Sequence, residues 1–254
     1  MEKINSKILP GAGPFYFDGN KIGILMIHGG GGGTCADLKP LAEDLNKSRG
    51  YTIYIPLLPG FGTSPEELRK TSIRAWKTAL EKEINKIKEK CGNIIVGGHS
   101  MGGILTLIMA TYHDFDGIFT ICAPTGIQRF GFKLVPLAKL FMKYHSITSD
   151  KFREETNNHW VGYDKIPINI AIKIKKLMKE MNENLFRINC PTILFQGRLD
   201  SEIKKDSMDY IYDNIKSKNK KKIWLEHNAH SILDSLDHHI IVSELLKFIN
   251  EIYP

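Results

Sequence analysis

The twenty residues NIIVGGHSMGGILTLIMATY, Asn93 to Tyr112, decide how this 254-residue chain is read. A short apolar run, Asn93–Val96, leads into four glycines grouped around one serine, and a segment of helical character follows. Within it, Gly98-x-Ser100-x-Gly102 is the small-x-Ser-x-small pattern of a sharp strand-to-helix turn. Close packing of strand against helix at such a turn admits only small residues at both flanking positions, and the serine takes a strained backbone conformation. The turn lifts the hydroxyl above a sheet. It also sets the backbone N–H of Met101 at a helix start, where it can donate to an oxyanion. Five letters alone occur by chance. The strand before and the helix after weigh against a glycine-rich turn with an inert serine.

On both sides of this segment, short apolar runs alternate with longer amphipathic ones, the pattern of a mostly parallel central sheet flanked by helices. Strands are predicted at Phe15–Phe17, Ile22–Ile27, Thr52–Ile55, Asn93–Val96, Gly117–Cys122, Thr192–Gln196 and Lys222–Leu225. Helices are predicted at Ala36–Lys47, Ser72–Lys90, Met101–Tyr112, Ile203–Ile215 and Leu236–Ile252. In Ser72–Lys90, Ile73, Trp76, Leu80, Ile84 and Ile87 recur at steps of three and four and define one buried face.

The alternation breaks between about 125 and 189. There FKLVPLAKLFMKYHS (Phe132–Ser146) and IPINIAIKIKKLMKEM (Ile166–Met181) predict helices without intervening strands. The expectation is one α/β domain over residues 1–254 carrying a small helical cap as an insertion. Phe130, Phe132, Leu137, Leu140, Phe141 and Met142 are candidates for facing a ligand from that cap, although such a stripe is more often ordinary packing. No internal repeat and no Ser/Gly linker divides the chain.

Hydrophobic residues make up 42% of the chain, enough for a sizeable core. The opening MEKINSKILP lacks a following apolar stretch, and no run reaches the ~18 apolar residues of a membrane span, so neither processing nor stable membrane insertion is expected. Cys35, Cys91, Cys122 and Cys190 lie far apart without metal-ligand spacing, as free thiols of a cytoplasmic protein would. The net charge of +7 is dispersed. Its densest cluster, KSKNKKK at Lys216–Lys222, has no interleaved aromatics to stack bases, so it is expected to be a solvated loop and no nucleic-acid partner is predicted. A small C-terminal patch leaves a homodimer open.

A serine near neutral pH needs a base and a group to orient that base. Asp200, 100 residues beyond Ser100, follows the predicted strand TILFQG at the sheet edge where α/β folds place functional loops. Asp206 and Asp209 are its rivals, but both fall in the next predicted helix. His230 lies 30 residues further on, after the strand KIWLE and before the last helix. His227 reads as a loop residue, and His238 and His239 as riders on that helix. The second oxyanion donor is the backbone N–H of Gly30, in ILMIHGGGGGT, with His28 orienting the loop. A phosphate-binding reading of these glycines fails because GGGGGTCAD ends without Gly-Lys-Ser/Thr, and a dinucleotide fingerprint fails where Thr34 replaces its last glycine.

HGGGGG, LPGFGTSPEEL, GGHSMGG, ICAP, QGRLD and AHSI, in this order, resemble the α/β-hydrolase superfamily, and more narrowly its bacterial carboxylesterase and monoacylglycerol lipase group. The resemblance spans about Phe15 to Ile252. It implies nucleophile Ser100, acid Asp200, base His230, oxyanion donors Gly30 and Met101, a small-molecule ester as substrate, and no metal or organic cofactor. A thioesterase, an aromatic-acid esterase, or a binding protein that kept the triad would use the same residues. One departure stands out: the group commonly carries a bulky apolar residue where this chain has Gly30. That suggests a wider acyl pocket, and the glycine run is also found in lipases that accept hindered alcohols.

Overall fold

The computed structural model describes residues 7–128, 143–146, 159–233 and 235–254. Its centre is a seven-stranded sheet built from β1 (Phe15–Phe17), β2 (Ile22–Ile27), β3 (Thr52–Ile55), β4 (Asn93–His99), β5 (Gly117–Ile121), β8 (Thr192–Gly197) and β9 (Lys220–Leu225), in the spatial order β1-β3-β2-β4-β5-β8-β9. Every pairing is parallel except that of β1 with β3. This is the mostly parallel α/β architecture expected from the alternation of apolar runs.

Side chains alternate across each strand and feed two cores. Leu25, Ile27, Ile94, Val96, Ile118 and Leu194 face one side, while Ile24, Met26, Ile95, Phe119, Ile193 and Phe195 face the other. The first side is covered by α3 (Ile73–Cys91), α4 (Met101–Met109), α5 (Asn169–Asn184) and α6 (Ser207–Asn214). The second is covered by α1 (Lys39–Arg49) and α7 (His238–Ile252). Helix α3 shows how the sequence specifies this. Ser72 Oγ accepts from the Ala75 N–H at 3.1 Å, and Gly92, at φ 81°, ends the helix. Between these ends Trp76, Leu80, Ile84 and Ile87 are buried; leaving water contributes about 1.5–3 kcal/mol for each aliphatic side chain.

Three expectations change. Between β5 and β8 the chain is not helix alone. Tyr144–Ser146 (β6) pairs antiparallel with Lys165–Pro167 (β7) just before α5, and three-residue strands are too short to show a period of two. The lysine cluster is only partly loop, because Lys220, Lys221 and Lys222 lie on β9 at the sheet edge, where charge blunts edge-to-edge pairing. Lys222 also pairs with Asp209 at 2.5 Å. Finally, the short α2 (Pro65–Lys70) was not anticipated, although Ser64 caps it and Pro65 opens it. The proposed cap-lining residues Phe130, Phe132, Leu137, Leu140, Phe141 and Met142 lie outside the described residues. No helix among the described residues is long and apolar enough to cross a membrane.

Candidate active site

The chain runs from β2 outward to β3 and then crosses back to β4 on the other side of β2. The strand order therefore reverses between β2 and β4, and their C-terminal ends open a crevice of the kind in which α/β sheets bind ligands. The turn with Ser100 leaves β4, and the His28-Gly29-Gly30 loop leaves β2.

Ser100 has φ 53° and ψ −117°, a conformation that costs a non-glycine residue on the order of 1–3 kcal/mol. It is held by its own N–H, which donates to the Ile121 carbonyl at 2.8 Å, and by its carbonyl, which accepts from Ile104 at 3.2 Å. The flanking glycines are explained by contact: a Cβ on Gly98 would run into the Gly102 backbone, and one on Gly102 into the Ile27 carbonyl.

His230 and Asp200 converge on this serine. The Nε2 of His230 lies 2.9 Å from Ser100 Oγ, and its Nδ1 lies 2.7 Å from Asp200 Oδ2. The other oxygen of Asp200 accepts the N–H groups of Glu202 at 2.9 Å and Ile203 at 3.3 Å, as a carboxylate locked on a turn would. Burial by itself raises the Asp200 pKa, but the His230 contact and these two amides outweigh it and hold the carboxyl below its usual range. Asp200 is buried while the His230 side chain keeps 23% exposure, so the carboxylate is shielded from water and the imidazole is in part open to it.

The rivals stand elsewhere in the fold. Asp206 precedes α6, Asp209 pairs with Lys222 on that helix, His227 is exposed, and His238 Nε2 meets Asp44 at 2.8 Å.

Met101 opens α4, and the first N–H groups of a helix have no intrahelical acceptor. Gly30 lies directly beside it, since a Cβ at position 30 would come 2.6 Å from Met101 Sδ and 2.9 Å from its Cβ. The Met101 side chain thus fills the direction that a residue at 30 would take, so the glycine does not by itself widen an acyl pocket. His28 orients this loop as expected. Fully buried, it donates from Nδ1 to the Gly29 carbonyl at 2.8 Å and accepts the Leu58 N–H on Nε2 at 3.1 Å. Burial lowers its pKa to about 4, which keeps it neutral in that tautomer.

Sequence reasoning missed two neighbours of His230. His99 and Asn228 are both buried, and both donate to the backbone around His230. His99 occupied a variable position of the elbow pattern, and Asn228 a loop without periodicity, so neither carried a signal. Cys122 is a further neighbour. Its sulfur and the ligand atoms of Asp200 and His230 lie within 4.8 Å of one another. Asp200 and His230 are already bonded to each other, and burial pushes the Cys122 thiol up, so the cluster reads as an acid–base pair beside a neutral thiol.

A serine on a strained elbow, within reach of a histidine that a buried carboxylate orients, defines a hydrolase of the α/β-hydrolase fold. Residues 19–237 match the family model described as serine aminopeptidase, S33, and the chain belongs to that family of α/β hydrolases. It is 32% identical over 242 residues to a thermostable monoacylglycerol lipase of Bacillus sp. (strain H-257), covering 95% of each chain. It is 27% identical to a carboxylesterase of Bacillus subtilis (strain 168), covering 94% of this chain and 96% of that one. The solved structure of a metagenome-derived lipolytic enzyme superposes with a TM-score of 0.87 at 27% identity, over 96% of this chain and 100% of the other.

Proposed function

We propose that this chain is a serine carboxylesterase acting on esters of short- to medium-chain acids, monoacylglycerols included, through an acyl-enzyme on Ser100. The observation that carries the reading is His230 standing 2.9 Å from Ser100 Oγ with its far nitrogen 2.7 Å from Asp200. Carboxylic ester hydrolysis is the chemistry named for its monoacylglycerol lipase and carboxylesterase relatives.

In the first step Ser100 Oγ bonds to the ester carbonyl carbon while its proton passes to His230 Nε2. Asp200 accepts from Nδ1 throughout, which fixes the tautomer and stabilises the imidazolium. The amides of Met101 and Gly30 receive the oxyanion, a contribution of roughly 3–4 kcal/mol per donor in comparable sites. The bond from carbon to the alkoxy oxygen then breaks, and His230 returns its proton to the departing alcohol. In the second step water gives a proton to His230 and its oxygen attacks the acyl carbon, releasing the acid and restoring Ser100.

The test is hydrolysis of p-nitrophenyl esters from acetate to palmitate beside monoacylglycerols of the same chain lengths. Turnover peaking at short or medium length supports the reading. Turnover confined to thioesters or to aromatic-acid esters would replace it with one of the related chemistries.

A further inference from the structure

Three consecutive backbone carbonyls carry the loop that presents His230. Asn228 Nδ2 donates to the carbonyl of Ala229 at 2.6 Å and to that of Ser231 at 3.2 Å. Between them, the carbonyl of His230 accepts from His99 Nε2 at 2.8 Å. A carbonyl oxygen can only accept, so His99 carries a proton on Nε2. Its ring lies 5.2 Å from that of His230, centroid to centroid, with the planes tilted by 46°.

The other edge of the same imidazole faces the opposite wall of the site. Nδ1 of His99 is buried with no hydrogen-bond partner among the described residues, and a Cβ on Gly29 would lie 3.2 Å from it. One side chain therefore touches the base loop through one nitrogen and abuts the loop after β2 through the other. Its own backbone immediately precedes Ser100. Burial, reinforced by the nearby His230, lowers the His99 pKa to about 3. His99 thus stays neutral and adds no second positive charge when His230 accepts the serine proton.

Asp200 fixes which way the His230 ring points, but it does not fix the height of the backbone that carries the ring. That backbone lies in a connection between β9 and α7, and connections are the more mobile parts of a fold. A displacement of 1 Å at a reacting group can cost about 10²-fold in rate.

We infer that His99 is a positioning residue for the reaction: with the Asn228 amide it holds the His230 backbone at the height that brings Nε2 to Ser100, and it braces that loop against Gly29. The inference rests on the acyl-transfer reading above. It adds that the elbow positions its own base.

The experiment compares wild type with His99→Gln, His99→Asn and His99→Leu. Gln can place an amide N–H near the position of imidazole Nε2, Asn is too short to reach it, and Leu keeps bulk while deleting the donor. The readouts are kcat and KM on p-nitrophenyl butyrate, the low-field NMR resonance of the proton between His230 and Asp200, and the melting temperature. Expected for Leu and Asn is a kcat lower by roughly 10–100-fold with KM changed less than about twofold, and a shifted or broadened low-field resonance. Gln should restore most of both.

Wild-type kcat in a folded Leu or Asn variant would overturn the inference, as would a Gln variant as impaired as Leu, or a lowered kcat with an unmoved resonance. Should Leu not fold, the Gln and Asn pair decides alone. Absence of Ser100-dependent turnover in the wild type would strike the acyl-transfer reading instead. The resonance would still report whether His99 holds His230.

Discussion

Gly102 lies so close to Ile27 that a Cβ on it would overlap the Ile27 carbonyl oxygen. The first turn of α4 is thereby pressed against the end of β2, which places the elbow beside the loop carrying Gly30.

Gly102→Ala must push these two backbones apart, because backbone cannot rotate out of the way as a flexible side chain would. The expected cost is about 1–3 kcal/mol or more, with esterase activity lost as the elbow moves away from the oxyanion loop. Gly31→Ala is the contrast: a Cβ there meets nothing within 4 Å. Its melting temperature should match wild type, within about 0.5 kcal/mol of stability. Thermal melts of the two variants, measured with the ester assay, check both.

Asp200→Asn keeps the shape of the acid but removes the charge that fixes the His230 tautomer. The expected fall in kcat is ~10³–10⁴-fold with little change in KM. His230→Gln should be at least as severe. His227→Gln and His238→Gln should leave kcat at the wild-type level, since His227 is exposed and His238 is engaged with Asp44 on α1. Steady-state kinetics on one soluble ester separates the four variants.

Asp37 gives stability a pH dependence of defined sign. It lies on the 3-10 turn Cys35–Leu38, its Oδ1 is buried without a hydrogen-bond partner among the described residues, and burial raises its pKa to about 7. The unfolded chain releases this proton near pH 3.9. Between those values the folded state binds the extra proton, so the Asp37 contribution is most favourable below about pH 4 and is lost as pH rises toward 7. Asp37→Asn removes that titration. Urea midpoints should show the stability of the variant relative to wild type growing from pH 4 to about 7 and then levelling. A constant difference across that range would refute the assignment.

Asp200 works in the opposite sense, since its folded pKa is lowered. Its contribution is present above the unfolded pKa and is lost as pH falls through the folded value. The two groups are separable because their windows lie on opposite sides of the ordinary carboxylate pKa.

Much of this was legible in the chain. The buried face of α3 follows from its helical periodicity, β2 and β5 follow from short apolar runs, and β1, β2 and β3 have the predicted ends. Ser100, Asp200 and His230 could be read as a set because each follows a strand, and strand ends on one sheet edge converge in space. Other features carried no pattern. β4 extends through Gly97, Gly98 and His99 because the pairing of β4 with β2 and β5 continues, whereas glycine argues locally against a strand. β6 and β7 are too short for alternation. His99 makes one side-chain hydrogen bond to backbone and Asn228 makes two, contacts that residue type and spacing do not encode.

Whether Ser100 is the acylated residue is measured by labelling with a fluorophosphonate followed by intact-protein and peptide mass spectrometry. One adduct per chain is expected, mapped to the peptide containing Ser100, growing in step with loss of ester hydrolysis and absent in Ser100→Ala. Full ester hydrolysis by Ser100→Ala, or inactivation with the adduct on a different residue, would contradict that role of Ser100.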